Sequence, residues 1–441
     1  MAIEELAHSG MNRRQMLRSG AMLGAGAGLA GLPFAASPIF AAQDQAWPAV
    51  SGFVSSYVDP VKVANMLVML GQGDAPPGVI ASGVDTLGRD RRADADSLYR
   101  IYSMTKPITG MAAMILIGEG KLALDQPLHS ILPKFERMMV QKVYDGGTGP
   151  DDLEPAMRPI TIRHMLTHTA GLGYSLVQEG PVRQLLIDRE VVPGQVTKLD
   201  LPQFLRGKPA DSLEIFADRA AEIPLVHQPG TRWSYSIGLD LMGRVIEVVG
   251  GQPFDEFLQE RIFDPVGMGS TYFRVPESET WRLTTNYAIY QDTLLPLDPA
   301  ESSIYLEEPS FPFGGAGLVS SPRDYDRFLH MLANSGTIDG RRVMSEETVR
   351  IGTSDILPET MDPEDEVRKN YGYGAGGRVG FGPFREVFGW AGAAGTLGFV
   401  DMKTGLRVGQ FSQFMPGMAY PILDELPQAI ADDLAARQGG A

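Results

Sequence analysis

The chain has 441 residues, of which 44% are hydrophobic and 21% charged, so low-complexity disorder and collagen-like sequence are excluded and a sizeable core is possible. With 38 Lys and Arg against 54 Asp and Glu, the formal net charge is −16, which disfavours nucleic acid as a partner. The absence of cysteine excludes disulfides, thiolate metal sites and cysteine nucleophiles.

The N-terminal segment has the pattern of an export signal. Arg13 and Arg14 precede an uncharged stretch, residues 19–42, that is rich in Gly and Ala and interrupted by Pro33 and Pro38. This stretch is too weakly apolar and too interrupted for a transmembrane helix. The paired arginines resemble a twin-arginine signal, so we expect residues 1–42 to direct export and the mature protein to be periplasmic or secreted.

The remaining chain predicts strands at both ends and helices between them. Short apolar runs bounded by turns indicate strands, and apolar residues at helical spacing indicate helices that stop at glycines. In chain order, we expect strands at 66–70 and 78–84, helices at 103–117, 238–249 and 322–334, strands at 396–400 and 406–411, and a closing helix at 419–437. This order predicts one sheet assembled from both ends of the chain around a helical insertion.

Ser103-Met104-Thr105-Lys106 is an S-x-x-K sequence at the start of a predicted helix. Residues three apart share a helix face, so the serine hydroxyl and the lysine ammonium group can meet. A helix N-terminus also offers backbone N–H groups for an oxyanion. By itself the pattern is a weak signal and is better explained by a serine N-cap beside a solvated lysine.

The sequence around Ser103 resembles the nucleophile segment of the serine β-lactamase and penicillin-binding-protein superfamily. Further segments resemble this superfamily in its own order. They are Gly118–Asp125 after the predicted helix, the H-T-x-G-L sequence His168–Leu172, Pro229–Ser236 with a candidate catalytic tyrosine, and the glycine-rich Gly314–Ser321. The resemblance covers roughly residues 50–430 and is strongest to the class C β-lactamase-like branch and its family VIII-type carboxylesterases.

The resemblance implies an α+β, β-lactamase/transpeptidase-like fold, with an antiparallel sheet flanked by helices and a mainly helical middle subdomain. The mature domain, 43–441, would divide into an α/β part at about 43–120 and 310–441 and a helical part at about 121–309. The fold class implies no metal and no cofactor.

The resemblance also implies a covalent mechanism. Ser103 would attack a carbonyl and form an acyl-enzyme, while Lys106 and Tyr235 relay its proton. The backbone N–H groups of Ser103 and Ala393 would bind the oxyanion. Water would then release the acyl group.

Two departures from the superfamily pattern favour an esterase. The usual Y-x-N reads Tyr235-Ser236-Ile237, and Ile237 has no side-chain amide to recognise a β-lactam. The late K-T-G reads Trp390-Ala391-Gly392, which replaces a carboxylate-binding lysine with an aromatic ring. We therefore expect Trp390, Gly392 and Ile237 to border a site for uncharged esters of small to medium acyl chains.

Other functions remain open from the sequence. A β-lactamase, a D-alanyl-D-alanine carboxypeptidase or an amide hydrolase would use the same nucleophile, and a non-catalytic binding protein would keep the same fold. His164 and His168 have an i, i+4 spacing that binds zinc on some helices, although the glutamate of H-E-x-x-H is missing. The expected partner is a small-molecule ester, with no nucleic acid and no stable membrane span, and oligomeric state is not predicted.

Overall fold

A computed structural model describes residues 47–199, 207–380 and 386–439 of the chain. The export signal predicted at residues 1–42 therefore lies outside the described residues. In the described part of the chain, no helix combines the length and the apolar character needed to cross a bilayer.

The strands belong to one large sheet and several small ones. In chain order they are β1 Asn65–Gln72, β2 Gly78–Gly83, β3 Tyr99–Arg100, β4 Met139–Gln141, β5 Leu153–Pro155, β6 Thr271–Tyr272, β7 Asn286–Tyr290, β8 Thr293–Asp298, β9 Val319–Ser320, β10 Thr337–Ile338, β11 Arg341–Arg342, β12 Gly372–Tyr373, β13 Arg378–Val379, β14 Val387–Gly392, β15 Thr396–Asp401, β16 Leu406–Phe411 and β17 Phe414–Met415. The large sheet has seven strands in the order β12-β13-β14-β15-β16-β1-β2. All of its neighbouring strands are antiparallel.

The helices are concentrated between the two groups of strands that build this sheet. They are α1 Pro48–Val58, α2 Thr105–Gly118, α3 Ile162–Leu166, α4 Pro181–Asp188, α5 Leu213–Ala220, α6 Gly238–Gly250, α7 Phe254–Leu258, α8 Asp264–Val266, α9 Pro322–Ala333, α10 Glu346–Gly352, α11 Glu366–Asn370 and α12 Ile422–Gly439. A 3₁₀ turn, Tyr102–Met104, leads directly into α2, and a π-helical turn, Gln259–Phe263, joins α7 to α8.

The large sheet is covered by helices on both faces, which explains the continuous apolar sequence of its inner strand β1. Side chains alternate along a strand, so Val68 and Leu70 face the core shared with α1 and α12. Leu67 and Met69 face the opposite core, to which α2 and α9 contribute. A strand buried on both faces shows no polar alternation.

The four strands and four helices predicted from the sequence are confirmed, with small shifts of their ends. The sheet is assembled from both chain ends, because β16 pairs with β1. The predicted helix at 103–117 begins as the 3₁₀ turn, and Pro107 lies at the third position of α2, where a missing N–H costs nothing. Helix α6 ends at Gly251, whose φ of +73° forms a left-handed C-cap. The closing helix begins at Ile422, three residues later than expected.

The middle of the chain contains short strands as well as the expected helices. The antiparallel pair β7 and β8 was not predicted, and β7 also pairs in parallel with β17. Gln291 and Asp292 form the turn between β7 and β8 with φ angles of +46° and +60°. Two-residue hairpin turns of this kind usually carry Asn-Gly, so the sequence lacked the ordinary hairpin signal.

Candidate active site

Ser103 lies in the tight 3₁₀ turn that precedes α2. The residue before it, Tyr102, has φ of +42°, a conformation that costs a non-glycine residue roughly 1–3 kcal/mol. Packing holds Tyr102 in place, since its ring meets the ring of Tyr305 edge to face at 6.2 Å between centroids. The strained turn fixes the direction of the Ser103 side chain at the mouth of a cavity.

The structure brings Lys106 and Tyr235 each within hydrogen-bonding distance of Ser103. The Nζ of Lys106 donates to Ser103 Oγ at 3.1 Å, and the Tyr235 hydroxyl donates to the same oxygen at 2.8 Å. Lys106 Nζ also lies 4.7 Å from the centroid of the Tyr235 ring, within the range of a cation–π contact. This arrangement allows a proton to move between the serine oxygen and either partner.

Lys106 is buried at 1% exposure and is held by the glycine-rich stretch. Its Nζ donates to the Gly315 carbonyl at 2.6 Å, and the Gly315 N–H donates to Asp240 Oδ1 at 2.8 Å. A Cβ on Gly315 would lie 2.5 Å from Asp240 Oδ2, so a larger residue here would displace the Asp240 carboxylate. Burial raises the pKa of Asp240 to about 6, while the charge of Lys106 and the Gly315 N–H act in the opposite direction.

Aromatic rings surround Tyr235 and fix its orientation. Trp390 stacks on it at 6.0 Å and 24°, Trp233 at 6.0 Å and 30°, and the His168 ring lies 4.8 Å away. Tyr174 closes the cluster at 5.6 Å. Trp390 is buried at 5% exposure and also lines the cavity beside Ser103, so this residue both positions Tyr235 and shapes the cavity.

His168 binds the segment that carries Tyr235. Its carbonyl accepts the Ser234 N–H at 2.9 Å, and its Nδ1 accepts the Ser236 N–H at 3.3 Å. Burial, followed by the nearby charge of Lys106, holds the pKa of His168 well below its ordinary value, so the ring is neutral. Because Nδ1 accepts a hydrogen bond, Nε2 carries the hydrogen. His168 is therefore a positioning residue for Tyr235.

His164 and His168 do not share a helix face. Helix α3 ends at Leu166, and His168 has φ of +56°, outside the helical region. His164 Nδ1 accepts the Thr161 N–H at 3.2 Å, which completes the N-terminal cap of α3. Among the described residues, no group of three or more His, Asp or Glu side chains is arranged to hold a metal ion. Of the two histidines at this spacing, His164 caps α3 and His168 positions the segment that carries Tyr235.

Strand β14 lies directly against the nucleophile turn. A Cβ on Gly392 would be 2.4 Å from the Ile101 carbonyl oxygen and 2.2 Å from Thr396 Oγ1, so this contact requires glycine. Ala393 follows at the start of the β14–β15 hairpin loop and lines the same cavity as Ser103. Gly392 therefore sets the distance between this hairpin and the serine.

The cavity beside Ser103 has a volume of about 80 Å³. Its described lining contains no Asp, Glu, Lys, Arg or His. Apolar side chains from two segments of the chain contribute to it: Trp390, Ala391, Ala393, Met418, Ile422 and Leu423. The cavity suits an uncharged group.

The expected role of Ile237 at the substrate site is not supported by its position. Ile237 is 1% exposed, belongs to the main hydrophobic core and is not part of the cavity lining. It lies at the N-cap of α6, where its side chain packs inward. The sequence correctly indicates that no amide is present here, but the isoleucine itself does not border the cavity.

Sequence reasoning assigned no role to Asp240 or to the histidine of the H-T-x-G-L segment. An acidic residue in the first turn of a helix is common because it favours the helix dipole, so Asp240 carried no distinctive signal. Its contact with the glycine-rich stretch 75 residues away appears only in the folded chain. His168 was visible in a motif, but its bonds to the tyrosine segment were not.

Comparison with known proteins identifies a family and several relatives of this chain. The sequence model of the Beta-lactamase family matches residues 54–432. Esterase EstB of Burkholderia gladioli is 30% identical over 362 residues, covering 74% of this chain and 80% of that protein. Lovastatin esterase of Penicillium rubens is 29% identical over 386 residues, covering 80% of this chain and 89% of that protein.

A solved structure shows the same fold. EstCE1, a hydrolase with promiscuous acyltransferase activity, superposes with a TM-score of 0.69 at 23% identity, covering 89% of this chain and 99% of that one. The α+β, β-lactamase/transpeptidase-like fold expected from the motifs is thereby confirmed. The family model matches most of the length of this chain, and EstB is 30% identical to it over 74% of the chain. The chain therefore belongs to the Beta-lactamase family.

Proposed function

We propose that this protein is a serine carboxylesterase that forms an acyl-enzyme on Ser103 and hydrolyses uncharged esters of short acyl chains. One observation carries the proposal: Ser103 Oγ bonds to both Lys106 and Tyr235 at the edge of a cavity whose described lining has no charged side chain. The esterase relatives support the general activity, serine ester hydrolysis.

In the acylation step, Tyr235, acting together with Lys106, takes the Ser103 proton as Oγ attacks the ester carbonyl. Lys106, 4.7 Å from the Tyr235 ring and hydrogen-bonded to Ser103, stabilises the negative charge that passes between the two oxygens. The tetrahedral intermediate collapses, the C–O bond to the alcohol breaks, and the leaving alkoxide receives the proton from Tyr235. Water attacks the acyl-enzyme by the same proton path in reverse.

The oxyanion would be bound by the backbone N–H groups of Ser103 and Ala393. The contact of Gly392 with the Ile101 carbonyl supports this assignment, because it keeps the hairpin against the serine turn. Preorganised donors of this kind lower the barrier by about 3 kcal/mol each in comparable enzymes.

The size of the cavity favours a short acyl group. A dry engineered cavity of about 150 Å³ holds benzene. A cavity of about 80 Å³ therefore matches an acyl group of roughly two to four carbons. We expect kcat/KM for p-nitrophenyl esters to be highest at acetate to butyrate and to fall at octanoate.

The proposal is tested by that ester series with the mature protein and a Ser103→Ala variant. Trapping the acyl-enzyme by rapid acid quench and mass spectrometry should place the added acyl mass on a peptide containing Ser103. Turnover that survives Ser103→Ala would contradict the nucleophile assignment. A serine-reactive phosphonate separates the enzyme from a non-catalytic binding protein, since the latter would leave Ser103 unlabelled.

The β-lactamase and peptidase alternatives require recognition of a substrate carboxylate. A charge-assisted contact from a lysine or arginine normally provides it. Trp390 occupies the position of the expected lysine, and the described cavity lining offers no cation in its place. This chemistry supports esters over carboxylate-bearing lactams or peptides.

We also propose that residues 1–42 export the protein through a twin-arginine route. The paired Arg13 and Arg14 ahead of an uncharged Gly/Ala-rich stretch support this. Changing both to lysine should move the esterase activity from the extracytoplasmic fraction to the cytoplasmic fraction. An unchanged distribution would contradict the proposal.

A further inference from the structure

Arg100 and Asp298 form a buried ion pair in the segment that leads into the nucleophile turn. They are 0% and 1% exposed, and Arg100 Nε donates to Asp298 Oδ2 at 2.6 Å. The other N–H groups of the guanidinium donate to the carbonyls of Thr284 and Asp298 and to the side-chain oxygens of Ser303 and Gln413. Because burying two charges costs so much desolvation, apolar residues are often as stable in place of such a pair. A pair whose donors are all bound therefore points to a use beyond stability, the fixing of one geometry.

The backbone of Arg100 is held as firmly as its side chain. Gln413 Oε1 accepts the Arg100 N–H at 3.2 Å, and Gln413 Nε2 donates to the Arg100 carbonyl at 3.2 Å. The next residue, Ile101, donates its N–H to the Leu318 carbonyl at 3.0 Å. The chain is thus fixed up to Tyr102, the residue of positive φ that precedes the serine.

Asp298 also fixes the turn that carries Tyr305. Its Oδ1 accepts the Ile304 N–H at 2.9 Å, and its Oδ2 accepts the Ser303 hydroxyl at 2.6 Å. Ser303 Oγ in turn accepts the Tyr305 N–H at 3.1 Å, which caps the 3₁₀ turn Ile304–Leu306. The position of the Tyr305 ring therefore depends on the Asp298 carboxylate.

One carboxylate holds the strained residue from two directions. Arg100 connects Asp298 to Tyr102 along the chain, and Tyr305 connects it to the Tyr102 ring, 6.2 Å away between centroids. A non-glycine residue keeps a positive φ only where its surroundings over-determine it. On release, φ of Tyr102 would relax to negative values and turn both the hydroxyl and the backbone N–H of Ser103 from their present directions.

We propose that Asp298 is a positioning residue for Ser103, acting through Arg100 and Tyr305. This inference rests on the proposed function, because it takes Ser103 as the nucleophile. Asp298 is not part of the described cavity lining, so it acts on the nucleophile and not on the substrate. Its loss should slow the reaction of the serine while substrate binding changes little.

The test replaces Asp298 by asparagine at constant volume. The amide oxygen can still accept the Ile304 N–H, but the NH₂ group places a donor against the donors of Arg100. Two quantities are measured: kcat and KM for p-nitrophenyl butyrate, and the rate at which a fluorophosphonate labels Ser103. We expect kcat and the labelling rate to fall about 100-fold, as for a reacting group displaced by about 1 Å, with KM within about threefold.

Asp326→Asn is the matched control, because it breaks a second buried ion pair. Asp326 Oδ1 accepts Arg407 Nε at 2.9 Å between α9 and β16. Among the described residues, the side chains of this pair bond to each other and to the Gly73 carbonyl alone. Asp326→Asn should lower the urea unfolding midpoint as Asp298→Asn does, but keep kcat and the labelling rate within about threefold.

Ser303→Ala is a milder variant that keeps both charges of the ion pair, so it decides the question if Asp298→Asn does not fold. It removes the cap of the turn that carries Tyr305, and we expect kcat and the labelling rate to fall about tenfold. Glycine adopts a positive φ without strain. In a Tyr102→Gly background, the loss caused by Ser303→Ala should therefore shrink to about twofold, whereas a role in overall stability alone would give the same loss in both backgrounds.

Labelling of Ser103 at the unaltered rate in Ser303→Ala and in folded Asp298→Asn would overturn the inference and leave the esterase function intact. An equal loss in Asp326→Asn, or equal losses in the two backgrounds, would also overturn it. If Ser103 is labelled but no ester is hydrolysed, the proposed function fails and the labelling rates still decide the inference. An unaltered protein whose Ser103 resists labelling would overturn both.

Discussion

Replacing Gly392 by alanine should reduce activity far more than stability. The new Cβ would lie 2.4 Å from the Ile101 carbonyl oxygen, a backbone atom that cannot rotate away. The second contact, Thr396 Oγ1 at 2.2 Å, belongs to a side chain that can rotate. The backbone contact therefore decides the outcome, and β14 must move away from the turn that carries Ser103.

The size of this movement follows from the contact distance. Cβ atoms essentially never approach a neighbour closer than 3.0 Å, so the strand must move by at least about 0.6 Å and by about 1 Å for an ordinary contact. Overpacking of this kind costs about 1–3 kcal/mol of unfolding free energy. A displacement of about 1 Å between an oxyanion donor and a nucleophile costs about 100-fold in rate.

The assay is kcat/KM for p-nitrophenyl butyrate beside urea-induced unfolding of the same preparations. Gly52→Ala is a matched control, because a Cβ there meets nothing within 4 Å and the residue lies in α1, away from the site. It should leave activity unchanged and slightly raise stability. A folded Gly392→Ala protein with activity within threefold of the unaltered enzyme would refute the reasoning that Gly392 sets the hairpin-to-serine distance.

Further predictions follow from the site and its buried groups. Ser103→Ala and Tyr235→Phe should each lower kcat by several orders of magnitude with thermal unfolding unchanged, as measured by stopped-flow ester hydrolysis and calorimetry; a loss of less than tenfold would contradict the roles assigned to them. Burial raises the pKa of the Asp240 carboxyl to about 6, so its charge is lost below this pH. Asp240→Asn should therefore lower kcat/KM and abolish an acidic limb of the pH–rate profile near pH 6. If the variant keeps the same limb, the limb belongs to another group. Burial lowers the pKa of His164 from 6.5 to about 4, so the unfolded chain binds the proton more strongly than the folded chain does. The free energy of unfolding from urea titrations, taken relative to His164→Gln, should therefore fall by about 3 kcal/mol from pH 7 to pH 4. A difference that does not depend on pH would contradict the buried neutral state.

Local sequence patterns predicted the large sheet and the main helices because those elements carry strong periodicity or clear stop signals. Strand β1 is apolar throughout since both of its faces are covered, and α6 stops where Gly251 adopts a left-handed conformation. The β7–β8 hairpin was missed because Gln291-Asp292 is an unusual pair for a turn in which both φ angles are positive.

The meeting of Ser103, Lys106 and Tyr235 followed from recognisable motifs, whereas the residues around them depend on long-range packing. Tyr235 is 132 positions from Ser103, and its ring is oriented by His168 and Trp390 through contacts that no local pattern encodes. Ile237 shows the converse, since a position matched in sequence was assigned to the cavity although its side chain packs into the core.

The most direct test of the esterase assignment is kcat/KM for p-nitrophenyl butyrate measured beside a chromogenic cephalosporin, with the purified mature protein and Ser103→Ala. Trp390 borders a cavity whose lining, among the described residues, carries no charged side chain. We therefore predict strong ester turnover and little lactam cleavage, and loss of both activities in Ser103→Ala. Dominant lactam cleavage would contradict the account, because it would require a carboxylate-binding group where Trp390 replaces the lysine.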